Sequence, residues 1–491
     1  MSVLRLTSGL VACLAAACAQ AQLTMNIAVP AGTPAGATVY VAGTFNGWNP
    51  GDPAYALERV SATAQRITLP AAVTGVISFK FTLGSWETVE LDANGFDVPN
   101  RVAIAPTSGT ASYDGTVAAW RDNNDWPLPN STATDSVSIL DFAFSIPQLN
   151  RTRRIWLYLP PDYDTTTKRY PVLYLQDGQN VFDAATSFAG EWQVDETLDA
   201  LHADGHWGAI VVAIANGEGS RADEYHPWPN PQFGGGEGDL YLDFLVDTLK
   251  PYIDANFRTL ANRRNTGVGG SSSAGVISQY AAVREPAVVG RVLAFSPAFF
   301  VNPQIYTAAS ALTPPAPPSR YTFVSGLNET AGGQPPGVFA VAQNDMVQAL
   351  SDAGIDVASH VRALLPADGT HSEGFWAREF GPAFAWLFDA QRDSDADATP
   401  DFADNCANVA NADQRDSDGD GFGNACDADL NNDCQVNFVD LGAMKAVFFG
   451  TDANADLDGD GAVNFSDLGR MKAAFFTAPG PSGVSEACTG S

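Results

Sequence analysis

The chain has 491 residues, 45% of them hydrophobic and 10% aromatic, which is enough to build buried cores in more than one domain. Its formal charge of -30, from 56 acidic against 26 basic residues, excludes nucleic acid as a partner class, because phosphates are held by Lys and Arg that displace counterions. Partners are expected to be neutral or cationic, and the acid is concentrated after residue 390, where the basic residues are Arg392, Arg415, Lys445, Arg470 and Lys472.

The opening MSVLRLTSGLVACLAAACAQA has one early cation, an apolar middle and the small-residue site Ala19-Gln20-Ala21. Residues 1–21 are therefore predicted to be a secretory signal cut before Gln22, and the protein is expected to be extracellular or cell-surface associated. A lipoprotein site at Leu10-Val11-Ala12-Cys13 is the weaker reading, because the apolar run before Cys13 is short. No later segment is long enough to span a bilayer.

Residues 22–121 alternate apolar and polar positions in short runs, as in ATVYVAGTF and VISFKFTLG, with Gly, Pro and Asn between them, which predicts a small β-sandwich. Two tryptophans stand at expected turns, in Gly43-Thr44-Phe45-Asn46-Gly47-Trp48-Asn49-Pro50 and in Phe79-Lys80-Phe81-Thr82-Leu83-Gly84-Ser85-Trp86. An indole offers an apolar face to sugar C–H groups, although such a residue equally serves a core. These segments resemble the starch- and glycogen-binding modules, including the glycogen-binding domain of the AMP-activated kinase β-subunit. The resemblance implies that Trp48 and Trp86 stack on a sugar, that Lys80 hydrogen-bonds it, and that the partner is a polysaccharide or oligosaccharide, with α-glucan a candidate. Residues 122–136, DNNDWPLPNSTATDS, read as a linker.

From 137 to 390, strand candidates (RIWLYLP, YPVLYLQ, AIVVAIAN, NTGVGG, RVLAFSP, YTFVSG) alternate with helical stretches such as LYLDFLVDTLKPYIDANF. That alternation predicts an α/β domain with a mostly parallel, doubly wound sheet, whose reactive groups lie past the carboxyl ends of the strands. The run GVGGSSSAGVISQY falls between an expected strand and an expected helix, the setting of a G-x-S-x-G elbow. Ser272 is the best-flanked serine, with Gly270 before it and Ala274 where the motif has Gly; Ser271 and Ser273 each have a bulkier flank. The amide of Ser273, at the helix start, would help hold an oxyanion.

A serine nucleophile needs a base, and in this fold class the order is Ser, then acid, then His. Of five histidines only His360 and His371 follow Ser272. DVASHVRALL reads as a strand that puts His360 on its surface, whereas His371 lies in a Gly-containing loop before a helix. Glu329 directly follows the strand YTFVSG and is preferred as the orienting acid over Asp345, Asp352 and Asp368.

The domain resembles the putative esterase family of α/β-hydrolases, with feruloyl, acetyl-xylan and enterochelin esterases and mycolyltransferases. The motifs are Leu173-Tyr174-Leu175-Gln176-Asp177-Gly178-Gln179-Asn180-Val181-Phe182-Asp183, Asp223-Glu224-Tyr225-His226-Pro227-Trp228, Gly238-Asp239 with Tyr241-Leu242-Asp243-Phe244, Lys250-Pro251-Tyr252-Ile253-Asp254, the serine elbow and His371-Ser372-Glu373. The resemblance implies a Ser272, Glu329 and His371 triad, a second oxyanion amide at Gln179, and no catalytic cofactor. Hydrolysis of acetyl or feruloyl esters on polysaccharide is the expected reaction. The rivals are acyl transfer to an alcohol, a siderophore esterase of enterochelin type, and a non-catalytic glycan-binding or scaffold protein.

The acidic end holds an internal repeat. Asp429, Asn431, Asp433, Gln435, Asn437 and Asp440 recur in spacing as Asp456, Asp458, Asp460, Ala462, Asn464 and Asp467. Oxygen ligands at positions one, three, five, nine and twelve, with a backbone carbonyl at seven, make a Ca²⁺ loop. Each loop feeds a near-identical helix, VDLGAMKAVFF or SDLGRMKAAFF, so residues 428–477 resemble dockerin type I, and the resemblance implies a cohesin-like partner. Asp393, Asp395 and Asp397, and Asp416, Asp418 and Asp420, lie in residues 391–427, which resemble thrombospondin type 3 repeats that also wrap Ca²⁺; residues 478–491 are a terminal tail. Cys406, Cys426, Cys434 and Cys488 all fall in this acidic end, and chain order favours Cys406 with Cys426 and Cys434 with Cys488 among three pairings.

Overall fold

A computed structural model describes all residues except 1–20, 35, 93–97, 122–129, 316–317, 332, 389–391, 486–487 and 489–491. The expected signal, apart from Ala21, lies outside the described residues, as does the first half of the expected linker. The chain divides into two compact units, residues 1–123 and 124–491.

In the first unit, strand Gln22–Ala28 begins at the residue expected to follow signal cleavage. It turns Leu23, Met25 and Ile27 inward, as a period of two requires. It pairs parallel with Thr110–Thr116 and antiparallel with Ala64–Thr68. A second sheet joins Tyr40–Gly43, Gly75–Thr82 and Arg101–Ala105. Val41, Phe79 and Phe81 from this sheet share one core with Leu23, Met25 and Ile27 from the other.

The second unit is built on an eight-stranded sheet. Its strands are β1 (Val137–Ile146), β2 (Arg151–Tyr158), β3 (Val172–Gln176), β4 (Ile210–Ile214), β5 (Thr266–Ser271), β6 (Arg291–Phe295), β7 (Arg320–Val324) and β8 (Val361–Leu364). They lie in the order β1-β2-β4-β3-β5-β6-β7-β8. The β1/β2 and β2/β4 pairs are antiparallel and every later pair is parallel. Every residue of β3, β4 and β5 is buried, which is why these strands read as unbroken small and apolar runs. Successive side chains still divide between two cores. Val172, Tyr174, Ile210 and Val212 join one, while Leu173, Leu175, Val211 and Ala213 join the other.

Two local readings change. Val357–His360 is a helical turn, capped by the Asp356 carboxylate on the Ala358 amide, so the strand begins only at Val361 and His360 is not on it. The long helical stretch runs as Gly238–Phe244, a π-turn over Leu245–Leu249, and Lys250–Asn256. Pro251 has no amide to donate, and the widened turn just before it is where the ladder adjusts.

The acidic end carries helices Phe438–Ala446 and Phe465–Ala473 over a small core that includes Val436, Met444, Val463 and Met471. Disulfides join Cys406 to Cys426 and Cys434 to Cys488. Hydrogen bonds tie the acidic end to the turn before β5. Arg264 donates to the Ser482 carbonyl at 2.9 Å, Asn262 to Gly483 at 3.0 Å and Asn265 to Phe402 at 3.1 Å. The Phe402 ring also stands edge-on to Trp207. The buried side-chain amide of Asn265 is shared between the Asn262 side chain of its own turn and the Phe402 and Gly483 carbonyls of the acidic end.

Candidate active site

The serine run sits where β5 stops and helix Ser273–Arg284 starts. Ser272 has φ 56° and ψ -121°, a conformation that an L-residue holds only when its surroundings impose it. Those surroundings are hydrogen bonds at 2.9 Å from the Ser272 amide to Phe295 and at 3.1 Å to its carbonyl from both Gly275 and Ala298. A Cβ on Gly270 would lie 2.6 Å from that of Ala274, so Gly270 must be glycine if Ala274 is alanine. The elbow thus forms with Ala at its last position. Ser271 is buried at the strand end, and the Ser273 hydroxyl is engaged elsewhere. The Ser273 amide is the first of its helix and has no carbonyl four residues back within it.

Glu329 and His371, 42 residues apart, are brought together, with His371 Nδ1 2.5 Å from Glu329 Oε1. The Glu329 side chain is fully buried. Its other oxygen accepts from Ser296 Oγ at 2.9 Å and from the Gly326 amide at 2.7 Å. Ser296 in turn accepts from the Trp376 indole at 2.9 Å, and the His371 ring is flanked by Phe339 and Trp376. An imidazole whose Nδ1–H is held by a carboxylate presents Nε2 as its basic nitrogen. Asp345 and Asp352 lie on helix Val338–Asp352, and Asp368 pairs with Arg378.

Gln179 occupies the middle of a tight turn, Gly178–Asn180, just past β3. Asp177 opens it with φ 55°, its carboxylate gripped by Arg221 at 2.7 Å through both oxygens and by Asn216 at 2.8 Å. Gly178 is forced, because a Cβ there would meet the Ala213 and Ile214 backbone at 2.7 Å. The Asp177–Arg221 clamp was not found from the sequence, although Asp177 lies inside a motif quoted for the family resemblance.

His226, also inside a motif quoted for the family resemblance, was given no role of its own from the sequence. Its Nε2 lies 2.8 Å from Ser273 Oγ, and its Nδ1 is buried without a hydrogen-bond partner. Burial, helped by the Arg221 cation, holds the His226 pKa down to about 4, so the ring is neutral at ordinary pH. In the unfolded chain it takes a proton near pH 6.5, so its contribution to stability is complete above that value and is lost as pH falls toward 4. A depression of this size corresponds to about 3 kcal/mol. The wild-type melting temperature should therefore fall more steeply between pH 7 and 4.5 than that of His226→Gln; parallel pH slopes would remove the basis of this assignment.

Residues 146–387, just under half the chain, match the family model described as "Putative esterase". This segment is an esterase domain, of the carboxylic ester hydrolase class. The chain is 25% identical over 248 residues to Bacillus subtilis "Uncharacterized protein YbbA", covering 49% of this chain and 94% of that protein. An "Alpha-amylase" of Niallia circulans is 42% identical over 100 residues, 20% of this chain and 8% of the amylase. An "Endo-1,4-beta-xylanase/feruloyl esterase" of Xylanibacter ruminicola is 30% identical over 138 residues, 27% of this chain and 18% of that protein. The chain thus spans only a small part of the two relatives whose names state an activity. A solved "ferulic acid esterase" aligns at 16% identity over 52% of this chain and 97% of its own, with a TM-score of 0.37.

Outside the esterase domain, Trp48 and Trp86 come within 6.2 Å of each other, ring centre to ring centre, tilted by 42°. Lys80 does not join them as a surface group. It lies in strand Gly75–Thr82 with only 3% of its surface exposed, so the expectation that its ammonium meets a sugar is corrected. In the acidic end, all four Asp-rich loops close the same way. The first Asp accepts the amide five residues on, from Ala398, Gly421, Cys434 and Gly461, and each of these has φ between 68° and 89°. Cys434 therefore takes the left-handed turn that glycine takes in its sister loop. Asp393, Asp395 and Asp397 gather carboxylate oxygens within 4.8 Å, as do Asp416, Asp418 and Asp420, and Asp456, Asp458 and Asp460. In the remaining loop, whose expected ligands are Asp429, Asn431, Asp433, Gln435, Asn437 and Asp440, Asp440 is fully buried with Oδ1 unpartnered, which fits a hard cation. Asn437 and Asn464 also cap the helices that follow, through boxes closed by Asp440 and Asp467.

Proposed function

We propose that the protein is a secreted serine esterase that removes acetyl or feruloyl groups from polysaccharide. The observation that carries this reading is the strained Ser272 elbow in a domain where His371 is paired to buried Glu329. In the reaction, His371 Nε2 takes the Ser272 proton as Oγ attacks the ester carbonyl. The Ser273 and Gln179 amides bind the oxyanion, and His371 passes the proton to the leaving alcohol. Water, activated by the same imidazole, then releases the acid and restores Ser272. Glu329 holds His371 in the right tautomer and stabilises its cationic form without itself taking the proton.

A polysaccharide substrate is supported by the two relatives named as an amylase and as a xylanase/feruloyl esterase, and by the paired indoles, which offer a platform for a sugar, α-glucan among the candidates. The Asp-rich loops would hold structural Ca²⁺, which supplies rigidity to loops that otherwise crowd carboxylates, and the doubled loop-helix would dock a cohesin-like protein. The test pairs activity with retention. The calcium-loaded chain is expected to hydrolyse methyl ferulate or acetylated xylan and to be retarded on gels containing glycan. Trp48→Ala and Trp86→Ala should abolish retardation and leave hydrolysis of methyl ferulate intact. Equal migration of wild type and variants on every glycan gel would overturn the binding role, and no hydrolysis of either substrate would overturn the esterase assignment to polysaccharide acyl groups.

A further inference from the structure

Apart from the Asp-rich loops, the chain has a second gathering of acid, at the start of helix Val194–Ala203. One carboxylate oxygen from each of Glu191, Asp195 and Glu196 lies within 4.8 Å of the others. The described end of the expected linker is laid over them. The Thr132 hydroxyl is 3.0 Å from both oxygens of Glu191, and the Thr134 amide donates to Asp195 Oδ2 at 2.7 Å. Asp195 is fully buried. Among the described residues no Lys, Arg or His pairs with Glu191, Asp195 or Glu196.

Acidic residues are ordinary in a first helical turn, but a helix N-terminus offsets only about half an elementary charge, and three carboxylates carry up to three. The decisive feature is three buried oxygens without any hydrogen-bond partner: Asp195 Oδ1, Glu196 Oε2 and Thr134 Oγ1. A buried carboxylate oxygen lacking a donor is costly, and the deficit here is of positive charge as well as of donors. The donor set is wholly hard oxygen, without sulfur or nitrogen, and its spacing suits ligands disposed about one calcium ion.

We propose that Glu191, Asp195 and Glu196, with the Thr134 hydroxyl, form a Ca²⁺ site that fastens the end of the linker to the esterase domain. It differs from the Asp-rich loops in drawing on a helix and a distant strap of chain instead of one continuous turn. Its helix is tied to the turn that carries Gln179, since the Trp192 amide donates to Asn180 at 2.9 Å and that of Val194 to Val181 at 3.2 Å. The ion would therefore brace one wall of the active site without touching the ester.

The experiment uses the full chain stripped of metal and titrated with Tb³⁺ or Ca²⁺. Trp192 adjoins Glu191, and residues 391–491 contain neither Trp nor Tyr, so tryptophan-excited Tb³⁺ emission favours this site over the Asp-rich loops. Since Trp207 touches Phe402, the readout is the difference between wild type and variant. Wild type is expected to show emission that Ca²⁺ displaces. Asp195→Asn and, with less risk to the buried core, Glu191→Gln should lose that emission and bind one ion fewer per chain by elemental analysis. An unchanged ion count and unchanged emission in a folded Glu191→Gln would overturn the proposal and leave a shared proton as what holds the carboxylates together. If Asp195→Asn fails to fold, Glu191→Gln alone decides.

Discussion

Ser272→Ala is expected to lower kcat/KM on a reactive aryl or methyl ester by about 10⁴- to 10⁶-fold, the range found when the nucleophile of such a triad is removed. The substitution deletes one oxygen on a half-buried residue whose backbone is held by the Phe295, Gly275 and Ala298 hydrogen bonds, so the melting temperature should scarcely move. Residual rate would come from the amides of Ser273 and Gln179, which the change leaves in place. The measurement is initial rates on methyl ferulate and an acetyl ester with matched circular dichroism. Retention of more than about a tenth of wild-type activity would mean that Ser272 is not the nucleophile, because no general effect of the fold supplies that much.

Glu329→Gln is expected to lower kcat by about 10³- to 10⁴-fold with little change in KM. The reason is visible in the donors around it. One oxygen of Glu329 faces His371 Nδ1 and the other accepts from Ser296 and Gly326, so every group facing this carboxylate is a donor. A glutamine must turn its NH₂ toward one side or the other. Toward His371 it would favour the tautomer with the proton on Nε2, which cannot act as base; toward Ser296 and Gly326 it would oppose donor to donor, at about 1–3 kcal/mol. Either way the imidazolium formed during attack loses its counter-charge. A fall in kcat without a matching rise in KM separates this from a collapse of the substrate site, and wild-type kcat in the variant would show that Glu329 is only structural.

Features that depend on neighbours a few residues apart were legible in the chain. The elbow needs small residues two positions either side of its serine, and Gly270 and Ala274 meet that need within one turn. The acidic loops repeat a ligand spacing, and their shared backbone geometry follows even where Cys434 replaces glycine. Strands β3 to β5, buried throughout, and β6 and β7, buried after their first residue, read as continuous apolar or small runs. The antiparallel strand β1 was not recognised, because its mixed, half-exposed pattern on the sheet edge has a bulged register and no uninterrupted apolar run. The turn at Val357–His360 looked like strand because four residues are too few for a helical period to show.

What the amino-acid sequence determined by itself was therefore local: the strands buried on both faces, the sharp turn at Ser272, the Asp-rich loops with their repeated spacing, and a short list of bases and acids. The tertiary structure decided which of these meet. Glu329 and His371 reach each other because β7 and β8 are neighbours in the sheet and their following loops rise at the same end. The same folding put His226 against Ser273, Arg221 around Asp177 and a stretch of expected linker over Asp195, and it withdrew Lys80 into the first unit's interior. Periodicity and turn chemistry act between residues close in the chain, whereas a partner for a buried charge is chosen by whichever distant segment the packed sheet brings within about 3 Å, and no spacing rule encodes that distance.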